Sequence, residues 1–92
     1  MYEVRLHSRR VQRELRSLPE PYHSRVLTAL HDLENEPRPQ GYLKLEGDIY
    51  RIRVGYYRIF YLIDDANQRI EVGTVRRRSE STYRNITELF SL

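Results

Sequence analysis

The stretch that decides the fold is residues 49–63, which read Ile-Tyr-Arg-Ile-Arg-Val-Gly-Tyr-Tyr-Arg-Ile-Phe-Tyr-Leu-Ile. β-Branched and aromatic residues dominate this stretch, and a single glycine, Gly55, lies near its middle. The pattern predicts two strands that fold back on each other at this glycine. Because side chains alternate across a strand, we expect Arg51 and Arg53 on one face, with Arg58 close to them just after the turn.

Three guanidinium groups on one small area of a sheet favour a binding function over a purely structural one. Each guanidinium offers a rigid fork of N–H donors that matches the oxygen atoms of a phosphate. Arg58 is the most informative of the three, because it lies in an otherwise apolar strand, where an unpaired charge is costly. The alternative is that these arginines bind the acidic part of a protein partner.

Upstream of this hairpin, the apolar residues change from alternation to helical spacing. Residues 2–7 alternate weakly and predict a short first strand. Two apolar stripes follow and predict an antiparallel pair of helices, the first with Ser8 as its N-cap and the second ending before Pro37. We interpret the arginine-rich opposite face of the first helix as a solvated surface, with nucleic-acid contact as the alternative. The apolar positions of the two stripes are Val11, Leu15, Leu18, Tyr22, Val26, Ala29, Leu30 and Leu33.

The segments on either side of the hairpin complete the predicted sheet. Residues 36–48 are polar and contain proline and glycine, and they predict an ordered loop that Leu43 and Leu45 anchor to the core. Residues 69–75 predict a further strand, and the end of the chain predicts a short amphipathic helix. The order β-α-α-β-β-β-α predicts a single α+β domain over residues 1–92, with three antiparallel strands after the helix pair. The terminal helix should cover part of the sheet face opposite the helix pair and leave a groove beside the hairpin arginines.

Charge is distributed unevenly along the chain. The formal net charge is +3, and residues 51–92 hold 8 basic and 5 acidic side chains whereas residues 1–50 hold 8 of each. Of the 16 basic residues, all but Lys44 are arginine. This favours a polyanionic partner, RNA or DNA first, with arginine used for solubility as the alternative. The chain has no cysteine and no apolar run near the ~20 residues of a membrane helix, which predicts a cytoplasmic protein without a membrane partner.

Three segments of the chain together resemble the RelE/ParE toxin superfamily. The predicted element order is similar to the fold of that superfamily over the whole chain. The hairpin pattern Tyr-Arg-Ile-Arg-Val-Gly, followed closely by Tyr-Arg, is the most specific of the three signals. The segments are Leu45-Glu46-Gly47, then Tyr50-Arg51-Ile52-Arg53-Val54-Gly55-Tyr56-Tyr57-Arg58, and then Val75-Arg76-Arg77-Arg78 with Tyr83 six residues after Arg77.

The resemblance to the RelE branch implies a toxin of a type II toxin–antitoxin system. Such a toxin is a ribosome-dependent endoribonuclease that cleaves mRNA and so inhibits translation. Cleavage proceeds by attack of a ribose 2′-hydroxyl on the adjacent phosphodiester, and the resemblance implies that neither a metal nor another cofactor is needed. The implied partners are a cognate RelB-like antitoxin, the ribosome and mRNA, with operator DNA bound only through the antitoxin complex.

The resemblance also implies roles for individual residues. Two basic residues of the first hairpin strand face the substrate, and Arg58 stabilises the charge that develops on the phosphate. Arg77 lies near the leaving group, and Tyr83 orients or stacks on a base or assists proton transfer. The implied catalytic residues are Arg51, Arg53, Arg58, Arg77 and Tyr83. The implied RNA-binding residues are Arg51, Arg53, Arg76 and Arg78, and since the last two flank Arg77, the register could differ by one.

One departure from the family pattern concerns the general base. The best-known members carry lysine at the positions of Arg51 and Arg53, and arginine is a poor base because its pKa is above ~12. Tyr83, Glu46 or a hydroxide held by the arginines are the remaining candidates. Two other functions stay open, namely a ParE-like inhibitor of DNA gyrase that cuts nothing itself, and an inactive toxin that acts as a corepressor with its antitoxin. The spacing from Arg77 to Tyr83 favours the ribonuclease.

Overall fold

A computed structural model describes residues 1–77 and 86–90 of the chain. The predicted α+β class and the order of its elements are confirmed. One strand is added to the prediction, because β2 forms inside the segment that was predicted to be a loop. The elements are β1 (Glu3–Leu6), α1 (Arg9–Arg16), α2 (Tyr22–Asp32), β2 (Leu43–Lys44), β3 (Ile49–Val54), β4 (Tyr57–Asp64), β5 (Arg69–Arg77) and a terminal 3₁₀ helix (Ile86–Phe90).

The five strands form one sheet in the order β1-β5-β4-β3-β2. β1 pairs with β5 in parallel, and the other neighbours are antiparallel. The predicted hairpin joins β3 to β4 through only Gly55 and Tyr56, and Gly55 has a φ of 59°. Such a short turn requires positive φ, which glycine adopts without steric cost. β4 is therefore the central strand, as its apolar residues predict.

The core lies between one face of this sheet and the two helices. Within the described residues, neither helix is long or apolar enough to cross a membrane. On β4, the alternate residues from Tyr57 to Ile63 point into this core, and both helical stripes supply the other side. The buried members of the cluster are Val11, Leu15, Val26, Leu30, Leu33, Tyr50, Ile52, Tyr57, Ile59, Tyr61, Ile63, Ile70, Val72 and Val75.

One local prediction from the sequence was wrong, and another is confirmed only in part. Leu43 and Leu45 do not anchor the loop to the core, since they are 44% and 39% exposed. β2 is an edge strand that pairs only with β3, so its side chains lie beyond the reach of the helices. Ser8 does occupy the N-cap position of α1, but its side chain forms no capping hydrogen bond.

A β-bulge interrupts the pairing of β4 with β5. Phe60 pairs with Thr74 and Tyr61 pairs with Val72, so Gly73 is an extra residue on β5. The ring of Phe90, from the terminal helix, packs directly on this glycine. A Cβ added at position 73 would lie 2.6 Å from the Phe90 ring. The bulge reverses the alternation of faces along the second half of β5.

The turn between β3 and β4 provides a test of the fold. A Cβ at position 55 would lie 2.8 Å from the Tyr22 ring, in addition to the strain of a positive φ. We expect Gly55→Ala to lower the free energy of unfolding by about 2–3 kcal/mol, as measured by urea denaturation. Gly47→Ala is the matched control, because Gly47 has a φ of 56° but open space around it. We expect it to lose only about 1 kcal/mol; equal losses in both variants would contradict the role of the Tyr22 contact.

Candidate functional site

Four arginines share the sheet face that is turned away from the two helices. Arg53 pairs directly with Arg58 across β3 and β4, and Arg58 pairs directly with Arg76 across β4 and β5. Paired residues point to the same face, so these three side chains form a row that spans ~10 Å across three strands. Arg51, two residues before Arg53, lies on the same face in the next row, opposite Phe60. We call these four residues, Arg51, Arg53, Arg58 and Arg76, the arginine row.

The cations of β3 and β4 are close enough to oppose one another's charge. Burial, and then the charges of Arg53 and Arg58, lower the pKa of Arg51 from its ordinary value. The Nε atoms of Arg51 and Arg58 are buried and have no hydrogen-bond partner in the part of the chain that the structure describes. Within the described ranges, Arg51, Arg53 and Arg58 form no ion pair with an acidic side chain. Donors without acceptors and cations without counterions form a site that is suited to an anion with several oxygen atoms.

The structure places Arg77 on the other face of the sheet from Arg58. Arg77 pairs with Tyr57, whose ring belongs to the helix-side core, so the two side chains lie on the opposite face from Arg58. Its side chain lines a cavity at the end of the sheet, together with Ser17 and Leu18, which follow α1, and with its neighbour Arg76. The reversal at the bulge is the reason, because Arg76 rather than Arg77 reaches the arginine row.

Three other residues predicted for the site lie apart from the arginine row or outside the described part. Arg78 and Tyr83 are outside the described residues. Glu46 is exposed in the turn between β2 and β3, beyond the end of β3 that is remote from Arg53. No group of three or more histidine, cysteine, aspartate or glutamate side chains that could hold a metal ion occurs in the described part of the chain.

One contact of the arginine row was missed by reasoning from the sequence. Glu14 of α1 does not lie on the solvated helix face, but reaches the part of β5 that β1 leaves uncovered. Its carboxylate accepts hydrogen bonds from the Val75 amide at 3.0 Å and from the buried hydroxyl of Thr74 at 2.9 Å. The signals in the sequence were a lone acidic residue among the arginines of α1 and a lone hydroxyl in the apolar part of β5.

Comparison with known proteins gives the family. Residues 6–82 match the family described as "ParE toxin of type II toxin-antitoxin system, parDE". The chain belongs to the ParE toxin family. It is therefore a toxin of the RelE/ParE superfamily, as the hairpin pattern predicts. No curated protein matches the chain significantly.

Several solved toxin structures are similar to this chain. The archaeal RelE in a RelE–RelB complex from Pyrococcus horikoshii OT3 is 32% identical, with 87% of this chain and 98% of that chain covered and a TM-score of 0.78. The RelBE2 toxin–antitoxin complex from Mycobacterium tuberculosis gives 30% identity, coverage of 86% and 93%, and a TM-score of 0.68. The intact E. coli RelBE complex gives 25% identity, coverage of 88% and 100%, and a TM-score of 0.72.

The electrostatic strain in this toxin predicts a measurable effect on its stability. We expect Arg58→Met to raise the free energy of unfolding by about 1 kcal/mol at low salt, because it removes an unsatisfied donor and a repelling charge. The gain should shrink at high salt, since salt screens repulsion between charges. Arg5→Met is the control: it removes the same charge from a strand, but Arg5 is paired with Glu3 at 2.9 Å. A loss of stability in Arg58→Met, or an equal gain in Arg5→Met, would contradict the effect.

Proposed function

We propose that this toxin is a ribosome-dependent endoribonuclease that cleaves mRNA and so stops translation. The observation that carries the proposal is the arginine row, in which four cations share one sheet face and three of them, Arg51, Arg53 and Arg58, have no acidic partner among the described residues. A phosphodiester supplies the negative oxygens that such a surface lacks. The similarity to RelE proteins in solved complexes supports the same activity.

The proposed reaction is a transfer within the RNA strand. The 2′-hydroxyl oxygen forms a bond to the adjacent phosphorus, the bond from phosphorus to the 5′-oxygen breaks, and the products are a 2′,3′-cyclic phosphate and a 5′-hydroxyl. One proton leaves the 2′-hydroxyl and another reaches the 5′-oxygen. Negative charge builds on the phosphoryl oxygens between these events, and fixed guanidinium donors stabilise it more than they stabilise the ground state.

The chemistry of arginine determines how the catalytic work is divided. A guanidinium donates hydrogen bonds and carries charge, but it does not accept a proton near neutral pH. Arg51, Arg53 and Arg58 would therefore act by positioning and charge stabilisation, and the ribosome would hold the mRNA in a geometry ready for attack. The toxin would then depend on the ribosome, because its arginines stabilise charge but do not act as a general base.

The proposed partners follow from the same surface. A RelB-like antitoxin would neutralise the toxin by covering the arginine row with an acidic segment. The similarity to RelE–RelB complexes supports the antitoxin as a partner. The toxin would act in the cytoplasm, where ribosomes and mRNA are present, and would reach operator DNA only through its antitoxin.

A second candidate is inhibition of DNA gyrase without cleavage. The match to the ParE model favours it, and so does arginine in place of lysine at the positions of Arg51 and Arg53. A surface without a base can bind and block a target as readily as it can cleave one. The two candidates predict different first effects in cells, because one stops translation and the other stops replication.

The test is induction of the toxin in cells, followed by primer extension on a reporter mRNA and by pulse labelling of protein and DNA. We expect new mRNA 5′ ends within minutes, and loss of protein synthesis before loss of DNA synthesis. Arg58→Ala should reduce cleavage by about 10²–10³-fold, the usual cost of losing one donor to a developing oxyanion. Arg5→Ala is the control and should cleave like the wild type, since Arg5 lies on β1, outside the arginine row.

The alternatives have distinct outcomes. Early loss of DNA synthesis with intact mRNA would overturn the ribonuclease and support gyrase inhibition. No growth arrest at all from a folded protein would support the corepressor. Rapid cleavage of naked RNA by the purified toxin would contradict the dependence on ribosomes. Full activity of Arg58→Ala would remove the arginine row from the mechanism.

A further inference from the structure

Among contacts within residues 1–77 and 86–90, Arg76 is the member of the arginine row whose side chain is held by a specific hydrogen bond. Its Nε–H donates to the Thr74 hydroxyl oxygen at 3.1 Å. Thr74 is fully buried, and it lies two residues before Arg76 on the same face of β5. The guanidinium is therefore tied to its own strand at the point where β5 meets Arg58.

The orientation of the Thr74 hydroxyl is determined by its two partners. A guanidinium can only donate and a carboxylate can only accept, so the hydroxyl must accept from Arg76 and donate to Glu14. The donated bond is 2.9 Å to Oε1, with Oε2 at 3.1 Å. The result is a one-way chain of hydrogen bonds from the guanidinium of Arg76 to the carboxylate of Glu14.

Glu14 is itself fixed by several donors. The Val75 amide donates to Oε1 at 3.0 Å, and Arg10 donates to Oε2 at 3.0 Å from one turn earlier in α1. Arg10 in turn donates to the Gly73 carbonyl at 2.7 Å, so α1 is attached to both sides of the bulge. Because the Glu14 side chain is only 19% exposed, these bonds are largely protected from water. The carboxylate also lies 3.7 Å from the Arg76 Nε, close enough for charge attraction.

We propose that Glu14 and Thr74 are positioning residues that hold the Arg76 guanidinium in line with Arg58 before RNA binds. Arginine loses considerable side-chain freedom when it is immobilised, and an arginine that is already immobile avoids this loss in the transition state. This inference rests on the proposed ribonuclease function. It gives a role in that function to two residues that are not part of the arginine row.

The test compares two substitutions of Thr74 by ribosome-dependent cleavage of a defined mRNA. Thr74→Val keeps the shape of the side chain and removes the hydroxyl, whereas Thr74→Ser keeps the hydroxyl and removes a methyl group. We expect Thr74→Val to lower kcat about 10-fold or more with KM nearly unchanged, because misplacement affects the transition state more than binding. Thr74→Ser should stay within about 3-fold of the wild type, since the hydrogen-bond chain is retained.

A double-mutant cycle separates positioning from a general loss of structure. If Thr74 acts through Arg76, Thr74→Val should cost little further activity in an Arg76→Ala background. Equal costs in both backgrounds would overturn the inference. The inference would also be overturned if Thr74→Val and Thr74→Ser lost equal activity and the loss matched the decrease in their thermal unfolding midpoints. The hydroxyl would then matter only for stability.

A measurement that does not depend on activity keeps this inference distinct from the proposed function. NMR of the ¹⁵N-labelled toxin should show a resolved, slowly exchanging Nε–H signal for Arg76 in the wild type and in Thr74→Ser. Its loss in Thr74→Val supports the hydrogen-bond chain, and its persistence overturns it. A wild-type toxin that shows this signal but does not cleave mRNA on ribosomes would overturn the ribonuclease while the positioning of Arg76 stands.

Discussion

Mutual repulsion among guanidinium groups is the constraint on which the arginine row depends. Burial, together with the charges of Arg53 and Arg58, lowers the pKa of Arg51, and no acidic side chain among the described residues pairs with any of these three arginines. They stay together because the opposite faces of the same strands are buried in the core. Burial of apolar side chains on the helix side thus offsets the repulsion among the arginines on the other side, which is a common arrangement at binding sites.

The central strand shows how one sequence serves both faces. On the helix side, Tyr57, Ile59 and Tyr61 are almost fully buried. On the other side, Arg58 and Phe60 face the site. A polar group in the middle of such a strand is tolerable only because β3 and β5 satisfy its backbone hydrogen bonds and fix its direction. If an anion bound there, as we propose, it would offset the repulsion among the guanidinium groups.

Much of the fold and part of the site could be predicted because they depend on local patterns. Alternation around a two-residue turn was enough to bring Arg51, Arg53 and Arg58 together. The choice between Arg76 and Arg77 could not be made in the same way, because it depends on the bulge, which strict alternation does not anticipate. The contact of Glu14 with β5 also escaped prediction, since it depends on where α1 crosses the sheet and not on the periodicity of α1 itself.

The extra residue at Gly73 makes the alternation of side chains between the two sheet faces independent in the two halves of β5. The first half is committed to β1 and to the core through Val72, and the second half carries Arg76 past Arg58. A single-residue insertion or deletion at this point can be absorbed locally, since the strand can gain or lose one unpaired residue while Val75 stays buried. Descendants of one ancestral toxin can therefore differ in length here and still present a guanidinium at the same place in space.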